Sequence, residues 1–297
     1  MTHEPLISIG LPVYNSVSRE NGEKELCRAL DSLLAQTHAR TEIIISDNAS
    51  SDSTDAICTA YAARDSRIRY IRHTENKGQV ANISFVIREA RGSYFMLASD
   101  DDVWEKNFIE LLLAALEAHP EYQVAMGSFD RFYDDGVFKD SVRLTGNLHT
   151  THQTPYAIYE KLAFDAPLHI YLYGLFRTAF IQRAFLRNTP ECIRWDRPML
   201  AELALATPFY AVPDKVFTKQ YKKTVGRIRY ANEQIGHVYT RPFSFSIYVW
   251  MFLWRPITSP VVPLQRKIGF VPIWIRFVFW SKKRIAKDMW QACKRAF

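Results

Sequence analysis

The chain has 297 residues, 48% hydrophobic and 14% aromatic, so it is long and apolar enough to bury a large core. This composition excludes an intrinsically disordered chain, and the N-terminal residues do not have the pattern of a signal peptide. The net charge of +7 is uneven, because residues 255–297 hold ten Lys or Arg and one acid. Residues 1–254 keep 28 of the 38 bases and 30 of the 31 acids, which argues against a nucleic-acid partner.

The four cysteines lie far apart in the sequence, and no two of them form a C-x-x-C pair. They are Cys27, Cys58, Cys192 and Cys293. This spacing favours the reduced thiols of a cytosolic protein over a disulfide framework or a zinc site.

The first 130 residues alternate between strand and helix patterns. Short apolar runs predict strands at residues 7–13, 42–46, 69–72, 94–98 and 122–126. Apolar residues recur at helical spacing between these runs, and we expect Gly92 to end the third helix as a C-terminal cap. The alternation is typical of βαβ units, so it predicts an α/β fold with a mostly parallel central sheet flanked by helices.

The pattern is less regular after residue 130. Residues 130–152 predict a hairpin or a loop. Beyond them we expect helices at 155–164, 179–187 and 197–206, and strands at 172–176, 209–212 and 215–221.

Polar clusters follow four of the predicted strands, at the carboxyl ends where open α/β sheets bind ligands. They are residues 12–15, 46–52, 76–78 and 99–102. Each cluster alone is compatible with ordinary turn chemistry, because Asn, Asp, Ser and Gly are common turn residues. Four clusters on one edge of a sheet favour a binding site.

The acid run, Asp100-Asp101-Asp102, is the most informative of these clusters. Adjacent carboxylates repel one another unless a cation neutralises them, and Mg²⁺ or Mn²⁺ prefers oxygen ligands. The alternative is that one Asp caps the helix predicted to begin near Glu105, which explains one acid but not three. The first turn has no G-x-G-x-x-G, so a dinucleotide site is not predicted, and a P-loop is absent from the sequence.

These motifs together resemble the family 2 glycosyltransferases, whose catalytic domain has the GT-A fold. The resemblance covers the first 130 or so residues and weakens beyond Asp130. It rests on P-V-Y-N at 12–15, S-D-N-A-S-S-D-S-T-D at 46–55, N-K-G-x-x-x-N at 76–82 and S-D-D-D-V-W at 99–104, in the family's order and spacing. It implies a metal-dependent, inverting glycosyltransferase that uses a nucleotide-sugar donor.

The resemblance also assigns roles to individual residues. Pro12 and Tyr14 are expected to flank the nucleobase and Asp47 to hydrogen-bond it. Asp100 is expected to approach the ribose, and Asp101 to ligate Mg²⁺ or Mn²⁺ at the diphosphate with Asp102 alongside. Family members often have an acid where this chain has Ser99, so the metal assignment rests mainly on Asp101. The other residues expected at the donor site are Asn15, Asn76, Gly78, Arg177, Lys222 and Arg227.

The expected catalytic base is Asp196, which precedes the predicted helix at residues 197–206, after the acceptor region. It would deprotonate the acceptor hydroxyl, and a single in-line displacement would invert the anomeric carbon. The alternative is that Asp196 is only a helix N-cap, with Pro198 in the first turn. Asp165 and His169 are further candidates for the base.

Positive charge near the β-phosphate would stabilise the leaving group. Lys222 and Arg227 follow the last predicted strand, where related enzymes often have a mobile loop. They fit this role, and the alternative is a solvated basic turn. Arg177 fits it too, or pairs with an acid elsewhere in the protein.

The C-terminal residues are aromatic and basic. The apolar segments at 242–254 and 268–280 are too short to span a bilayer. They predict contact with a membrane surface, with Trp residues at headgroup depth and basic residues facing anionic lipid. The alternative is an oligomer interface, or helices packed on the body of the protein.

The sequence predicts a GT-A domain of residues 1–230 and a C-terminal helical, membrane-associating region of residues 231–297. The domain has a nucleotide-binding half (1–130) and an acceptor half (131–230). The predicted activity is sugar transfer from a nucleotide sugar to a lipid-linked or growing glycan acceptor, in polysaccharide or glycoconjugate biosynthesis. UDP is the default nucleotide, with dTDP or GDP as alternatives. We expect a cytoplasmic protein, peripheral on the cytoplasmic face of the inner membrane.

Two other functions fit parts of the sequence. A metal-dependent nucleotidyltransferase would also place acids at strand ends, but it requires a glycine- and lysine-rich loop after the first strand, which residues 13–18 lack. A non-catalytic membrane-associated scaffold on the same fold is the second alternative.

Overall fold

The computed structural model describes residues 4–133, 135–144, 146–147, 154–164, 172–187, 194–221 and 243–296. The strands are β1 (Ile7–Val13), β2 (Thr41–Asp47), β3 (Ile68–Arg72), β4 (Tyr94–Leu97), β5 (Val103–Trp104), β6 (Val124–Tyr133), β7 (Phe138–Val142), β8 (Gly146–Asn147), β9 (Leu175–Arg177) and β10 (Tyr210–Tyr221). The helices are α1 (Gly22–Leu34), α2 (Thr54–Arg64), α3 (Gln79–Glu89), α4 (Phe108–Ala118), α5 (Pro155–Phe164), α6 (Thr178–Phe185), α7 (Asp196–Ala206), α8 (Ser244–Thr258), α9 (Arg266–Gly269) and α10 (Val271–Ala296).

The described strands form one sheet in the order β3-β2-β1-β4-β9-β6-β10-β5, with β7 beside β6 and β8 beside β10. Strands β3, β2, β1 and β4 are parallel. Strand β9 is antiparallel to both β4 and β6, and β10 is parallel to β6, so β1–β4, β6 and β10 run in one direction. The predicted α/β fold with a mostly parallel central sheet flanked by helices is therefore confirmed.

Strand β1 lies at the point where the order of the sheet reverses. Its neighbours are β2 on one side and β4 on the other, so the chain winds in opposite directions from β1. Such a reversal leaves a crevice outside the carboxyl ends of the two strands. In this chain, residues 12–16 and the acid run lie at that crevice.

The central strands are buried because helices cover the sheet. Every residue of β2 is buried, and Leu26, Leu30 and Leu33 of α1 are fully excluded from solvent. Helix α3 ends at Glu89 in an extended residue, Ala90, so the predicted capping role of Gly92 is wrong. Gly92 is required for close packing instead, since a Cβ there would lie 2.4 Å from the carbonyl oxygen of Leu6.

The predicted strands at 209–212 and 215–221 are one strand, β10. Its register against β6 shifts between Val212 and Lys215, where Pro213 interrupts the run. Proline has no N–H to donate to the ladder, so it produces an irregularity rather than an end. The polar segment after Asp130 forms the predicted hairpin, since β6 pairs with β7 antiparallel.

The C-terminal helices pack on α5 and α7. Helix α8 contacts α7, and α10 contacts α8 and α5. The hydroxyl of Tyr159 in α5 donates a 2.8 Å hydrogen bond to the carbonyl of Phe252 in α8, and both rings are fully buried. Within the described ranges, no helix combines the length and apolar character required to cross a membrane. The domain boundary at residue 230 stays a prediction.

A buried ionic cluster fastens α8 to α7. The Glu202 carboxylate accepts hydrogen bonds of 2.6 Å from Arg187, 2.8 Å from Arg255 and 2.6 Å from Ser259. The Glu202 side chain is fully buried, and only 4% of the Arg255 side chain is exposed. These four residues are called the Glu202 cluster below.

Candidate functional site

The loop after β1 is joined to the loop after β2 by side-chain hydrogen bonds. Asn15 adopts a left-handed conformation, with φ of 47°, and its side-chain oxygen accepts a 2.8 Å hydrogen bond from the Ser51 amide. The Asn15 amide donates to Ser50 Oγ at 2.9 Å, and the Ser16 amide donates to Thr54 Oγ1 at 2.9 Å. The predicted Asn15 therefore shapes the crevice through its backbone and side chain.

Asp47 at the end of β2 is completely buried. One carboxylate oxygen accepts from the Ser50 amide at 2.8 Å, and the other accepts from the Tyr70 hydroxyl at 2.8 Å. Arg72 lies 3.6 Å from the second oxygen. The carboxylate therefore holds the loop after β2, and its expected contact with a nucleobase stays a prediction.

Asn76 and Gly78 precede α3 and are joined to the loop after β2. The Asn76 side-chain oxygen accepts from Asn48 Nδ2 at 2.7 Å and from the Gly78 amide at 2.9 Å. Asn48 in turn accepts from the Lys77 amide at 2.9 Å. Gly78 has φ of 89°, which permits the sharp turn into α3.

A polar cavity lies where these loops meet the acid run. Its lining combines backbone and side chains from three strand ends and the first turns of α3. The lining residues are Pro12, Val13, Tyr14, Asn48, Gln79, Asn82 and Asp100. The structure thus brings the predicted residues Pro12, Tyr14 and Asp100 around one space.

Asp100 is held by residues of the loop after β1. It accepts a hydrogen bond from Ser16 Oγ, and its carboxylate pairs with the Arg19 guanidinium through nitrogens at 2.7 and 3.3 Å. Only 7% of the Arg19 side chain and 11% of the Asp100 side chain are exposed. A two-nitrogen pairing of this kind fixes the orientation of a carboxylate as well as neutralising it.

Asp101 has a different environment. Its side chain is 14% exposed, accepts a 2.5 Å hydrogen bond from Ser99 Oγ, and lies 3.8 Å from Arg19. Ser99 therefore orients Asp101 directly.

Asp102 is fully buried and is not among the residues that line the cavity. Its carboxylate accepts from Lys219 Nζ at 2.7 Å and from the Gln220 amide at 2.9 Å. Burial raises the pKa of the Asp102 carboxyl, and the Lys219 ammonium opposes that change. Burial alone would lower the pKa of Lys219, but the facing carboxylate holds it well above its ordinary value.

The acid run suits a divalent ion that keeps few protein ligands. Among the residues that the structure describes, no group of three or more His, Cys, Asp or Glu is arranged around a metal position. Mg²⁺ and Mn²⁺ sites in nucleotide enzymes often use one or two carboxylates, with phosphate and water completing the shell. Asp101 fits that requirement better than Asp102, because Arg19 lies 3.8 Å from Asp101, whereas Lys219 lies only 2.7 Å from Asp102.

Asp196 is the first residue of α7, directly after a residue that bonds to the cavity lining. The preceding residue, Trp195, donates a 3.0 Å hydrogen bond from its indole nitrogen to the side chain of Gln79, which lines the cavity. Burial raises the pKa of the Asp196 carboxyl, while neighbouring Arg197 acts in the opposite direction. A raised carboxyl pKa is a common property of residues that exchange protons.

The structure does not bring Arg177 to the crevice. Arg177 pairs with Tyr94, the first residue of β4, and so lies at the opposite edge of the sheet from Asp100. Its guanidinium donates to the carbonyls of Tyr122 and Leu116, and to the Tyr94 hydroxyl. Lys222 and Arg227, and the alternative bases Asp165 and His169, lie outside the described residues.

Sequence reasoning missed several side chains of this site. Asn82 ends the N-K-G-x-x-x-N segment at residues 76–82, and a polar residue on the buried face of α3 was a detectable signal. Gln79 follows Gly78 directly. Arg19 and Lys219 gave no local signal, because they reach the acid run from positions 81 and 117 residues away.

Comparison with known proteins finds similarity to glycosyltransferases. The family model described as "Glycosyl transferase family 2" matches residues 8–187. The chain is 33% identical over 135 residues to glycosyltransferase GlyG of Streptococcus pneumoniae, covering 45% of this chain and 42% of that protein. It is 33% identical over 136 residues to the putative glycosyltransferase EpsE of Bacillus subtilis, covering 44% and 47%. The chain therefore spans less than half the length of these relatives.

Solved structures show the same fold at low sequence identity. Staphylococcus aureus TarS 1–349, solved in complex with UDP-GlcNAc, matches with a TM-score of 0.66 and 16% identity, over 91% of this chain and 73% of that one. The mannosyltransferase PcManGT of Pyrobaculum calidifontis, solved with GDP-Man and Mn²⁺, matches with a TM-score of 0.53 and 15% identity, over 99% and 87%. The predicted GT-A-like architecture, including the C-terminal helices, is confirmed.

Proposed function

Because the chain belongs to glycosyl transferase family 2, we propose that it transfers a sugar from a nucleotide-sugar donor to a lipid-linked or growing glycan acceptor. One juxtaposition supports this proposal above the others. Tyr14, Asn48 and Asp100 line a single polar cavity at the reversal point of the sheet, and Asp101 follows directly. These residues would meet the parts of a nucleotide sugar in order: the base at Tyr14 and Asn48, the ribose at Asp100, and the diphosphate at Asp101.

The donor enters with its nucleobase beside Pro12 and Tyr14. Asn15, Asp47, Asn76 and Gly78 hold the loops that shape this end of the cavity. Asp100, fixed by Arg19, accepts hydrogen bonds from the ribose hydroxyls. The structures of TarS with UDP-GlcNAc and PcManGT with GDP-Man support a nucleotide sugar as the donor class, and UDP is our default nucleotide.

Asp101 would hold Mg²⁺ or Mn²⁺, in keeping with the Mn²⁺ present with GDP-Man in PcManGT. When bound, the ion neutralises charge that develops on the departing diphosphate. Asp102, which the sequence places beside the metal, pairs with Lys219, so we assign it to support of the acid run and the metal to Asp101. Lys222 and Arg227 remain candidates for further positive charge at the diphosphate.

Asp196 is proposed as the general base. Its carboxylate accepts the proton of the acceptor hydroxyl as that oxygen bonds to the anomeric carbon. The bond from the anomeric carbon to the β-phosphate oxygen breaks on the opposite face, and its electron pair leaves with the nucleoside diphosphate. One in-line displacement inverts the anomeric configuration. The position of Trp195 against Gln79 supports this role, because it places the start of α7 beside the cavity.

A lipid-linked acceptor would be met at a membrane surface. The exposed bases Lys282, Lys283, Lys287 and Lys294 would face anionic lipid, and the cytoplasmic leaflet carries such lipid. We therefore place the enzyme on the cytoplasmic face of the inner membrane, in polysaccharide or glycoconjugate assembly.

The test is donor turnover with a matched pair of variants. The purified chain is screened by thermal shift against UDP-, dTDP- and GDP-sugars with and without Mn²⁺, and nucleoside diphosphate release is then measured for the stabilising donor. Asp101→Asn is expected to lower release at least about a hundredfold. Asp214→Asn, at an exposed carboxylate in the β10 irregularity, is expected to be unchanged. Undiminished turnover in Asp101→Asn, or stabilisation by no nucleotide sugar, would contradict the proposal, and pyrophosphate release from a nucleoside triphosphate would indicate nucleotidyl transfer instead.

A further inference from the structure

Helix α10 has apolar residues on two opposite sides. On one side, Phe277 and Ser281 are at most 1% exposed, because this side packs on α5 and α8. On the other side, Ile275, Phe279 and Trp290 are 44%, 67% and 58% exposed. At 3.6 residues per turn these three lie within about 60° of one another around the helix, opposite Phe277. The second stripe has no packing role in the described fold.

The exposed stripe continues upstream of α10. Ile268 in α9 is 74% exposed, and Leu264 before α9 is 78% exposed. Ile268 in α9 and Pro272, Ile275 and Phe279 in α10 are spaced by four, three and four residues. At helical spacing this keeps them on one side. We call the side chains of Leu264, Ile268, Ile275, Phe279 and Trp290 the outer stripe. An exposed apolar set of this size commonly marks an interaction surface.

Basic residues border the outer stripe. Lys282 lies along one margin, and Lys283, Lys287 and Lys294 lie along the other, all of them exposed. Residues 264–294 hold eight Lys or Arg and one acid, Asp288. The Asp288 carboxylate is half-buried and accepts hydrogen bonds of 2.9 and 2.7 Å from Ser246, so it faces α8 rather than the outer stripe.

We infer that the outer stripe lies in an anionic lipid surface, with α10 parallel to the membrane plane. A helix of 26 residues is about 39 Å long and would present the stripe along most of its length. The apolar side chains enter the boundary between headgroups and acyl chains, while the lysines on both margins meet lipid phosphates. Trp290, with Lys294 Nζ 4.1 Å from its ring centre, combines an apolar body with a cation at headgroup depth.

Charge favours lipid over a second copy of this chain. Two copies joined through the outer stripe would bring the same lysine-bordered surfaces together, and like charges across an interface are unfavourable. An anionic bilayer satisfies both the apolar stripe and its basic margins. The inference deepens the proposed function by naming the surface on which a lipid-linked acceptor is met. Vesicle binding needs no sugar donor, so its failure would leave the proposed transferase activity untouched.

The experiment is vesicle co-sedimentation of the full chain, without nucleotide. One set of vesicles contains phosphatidylglycerol and phosphatidylcholine in equal parts, and the other contains phosphatidylcholine alone. We expect sedimentation with the first set only, and less of it at high salt. Ile268→Ser with Phe279→Ser is expected to weaken binding at least about tenfold. Lys283→Gln with Lys287→Gln is also expected to weaken binding to the anionic vesicles.

The matched control is Val137→Ser with Phe138→Ser. These residues are 55% and 53% exposed on the β6–β7 hairpin, so the pair removes comparable exposed apolar surface elsewhere. The control is expected to bind like the unaltered chain. Circular dichroism and thermal unfolding check that each variant folds. Equal binding by the outer-stripe variant and the control would overturn the inference, as would absence of anionic-vesicle binding. A dimer that dissociates in the outer-stripe variant, without vesicle binding, would assign the surface to a second copy.

Discussion

Lys219 Nζ lies 2.7 Å from the Asp102 carboxylate, and the two side chains are 9% and 0% exposed. This pair joins β10 to the acid run across 117 positions of sequence. The ammonium offsets the cost of burying the carboxylate, and the carboxylate keeps the lysine protonated. Asp102 therefore anchors the residues that precede it, Asp100 and Asp101, at the end of β4.

Replacement of Lys219 tests this anchoring. Lys219→Met leaves a buried carboxylate without a counter-ion, so we expect a loss of about 3–5 kcal/mol in the free energy of unfolding. Lys219→Met combined with Asp102→Asn should lose less, because no charge is left buried. Lys215→Met, which removes a more exposed pair with Glu105, should cost at most about 1 kcal/mol. Denaturant unfolding measures all three, and equal losses for Lys219→Met and Lys215→Met would contradict the anchoring role.

Arg19 is expected to compete with a divalent ion. Its guanidinium lies 3.8 Å from Asp101, the proposed metal ligand, so a positive charge there opposes the arrival of another cation. Arg19→Gln should therefore tighten Mn²⁺ binding by about tenfold in the presence of the nucleoside diphosphate. Titration calorimetry measures this affinity, with Arg28→Gln on the exposed side of α1 as the control. Weaker Mn²⁺ binding in Arg19→Gln would mean that its support of Asp100 outweighs the repulsion.

Asp196 should affect the chemical step without affecting donor binding. Asp196→Asn is expected to lower kcat by about 10²–10⁴-fold and to leave the Kd of the donor unchanged. Because burial raises the pKa of Asp196, its active, ionised form should accumulate only above the ordinary carboxyl range. Activity of the unaltered enzyme should therefore rise with pH through that raised pKa. A pH–rate profile measures this limb, and its persistence in Asp196→Asn would assign the base to another residue.

The Glu202 cluster should contribute a large part of the free energy that holds α8 against α7. Glu202→Gln leaves the Arg187 and Arg255 guanidinium groups, both largely buried, without their carboxylate. We expect a loss of about 3–5 kcal/mol in the free energy of unfolding, and faster amide exchange in α8. Glu160→Gln, at the more exposed pair with Arg276, should cost at most about 1 kcal/mol. An unfolding free energy within about 1 kcal/mol of the unaltered chain for Glu202→Gln would contradict this role.

Local patterns predicted the parts of the fold that depend on local chemistry. The bounds of β1 follow from an apolar run that ends at a polar turn, and the structure gives the same residues, Ile7–Val13. The acid run was placed correctly at the end of β4, because a strand must end where its apolar pattern gives way to charge. The crevice itself follows from the alternation of strands and helices.

Features that depend on packing between distant segments were not predictable in this way. Gly92 has the sequence context of a helix cap, but its actual constraint is the carbonyl of Leu6 across the sheet edge. The sequence around Arg177 does not show at which edge of the sheet it lies. The antiparallel pairing of β9 with β4 decides this, because it places Arg177 beside Tyr94 at the start of β4. The roles of Arg19 and Lys219 were likewise not predictable, because only the folded chain brings them next to Asp100 and Asp102.

The Glu202 cluster limits how segments of this chain could be exchanged with those of its relatives. Helix α7 contains both Glu202 and the proposed base Asp196, and Arg255 and Ser259 grip that helix from the C-terminal segment. A chimaera that took its last helices from another family member would lose Arg255, which neutralises the buried Glu202 carboxylate. The new segment would have to supply an arginine at position 255. Changes at residues 187, 202 and 255 should therefore occur together in evolution, because a change at one of them alone would leave a buried charge without its counter-ion.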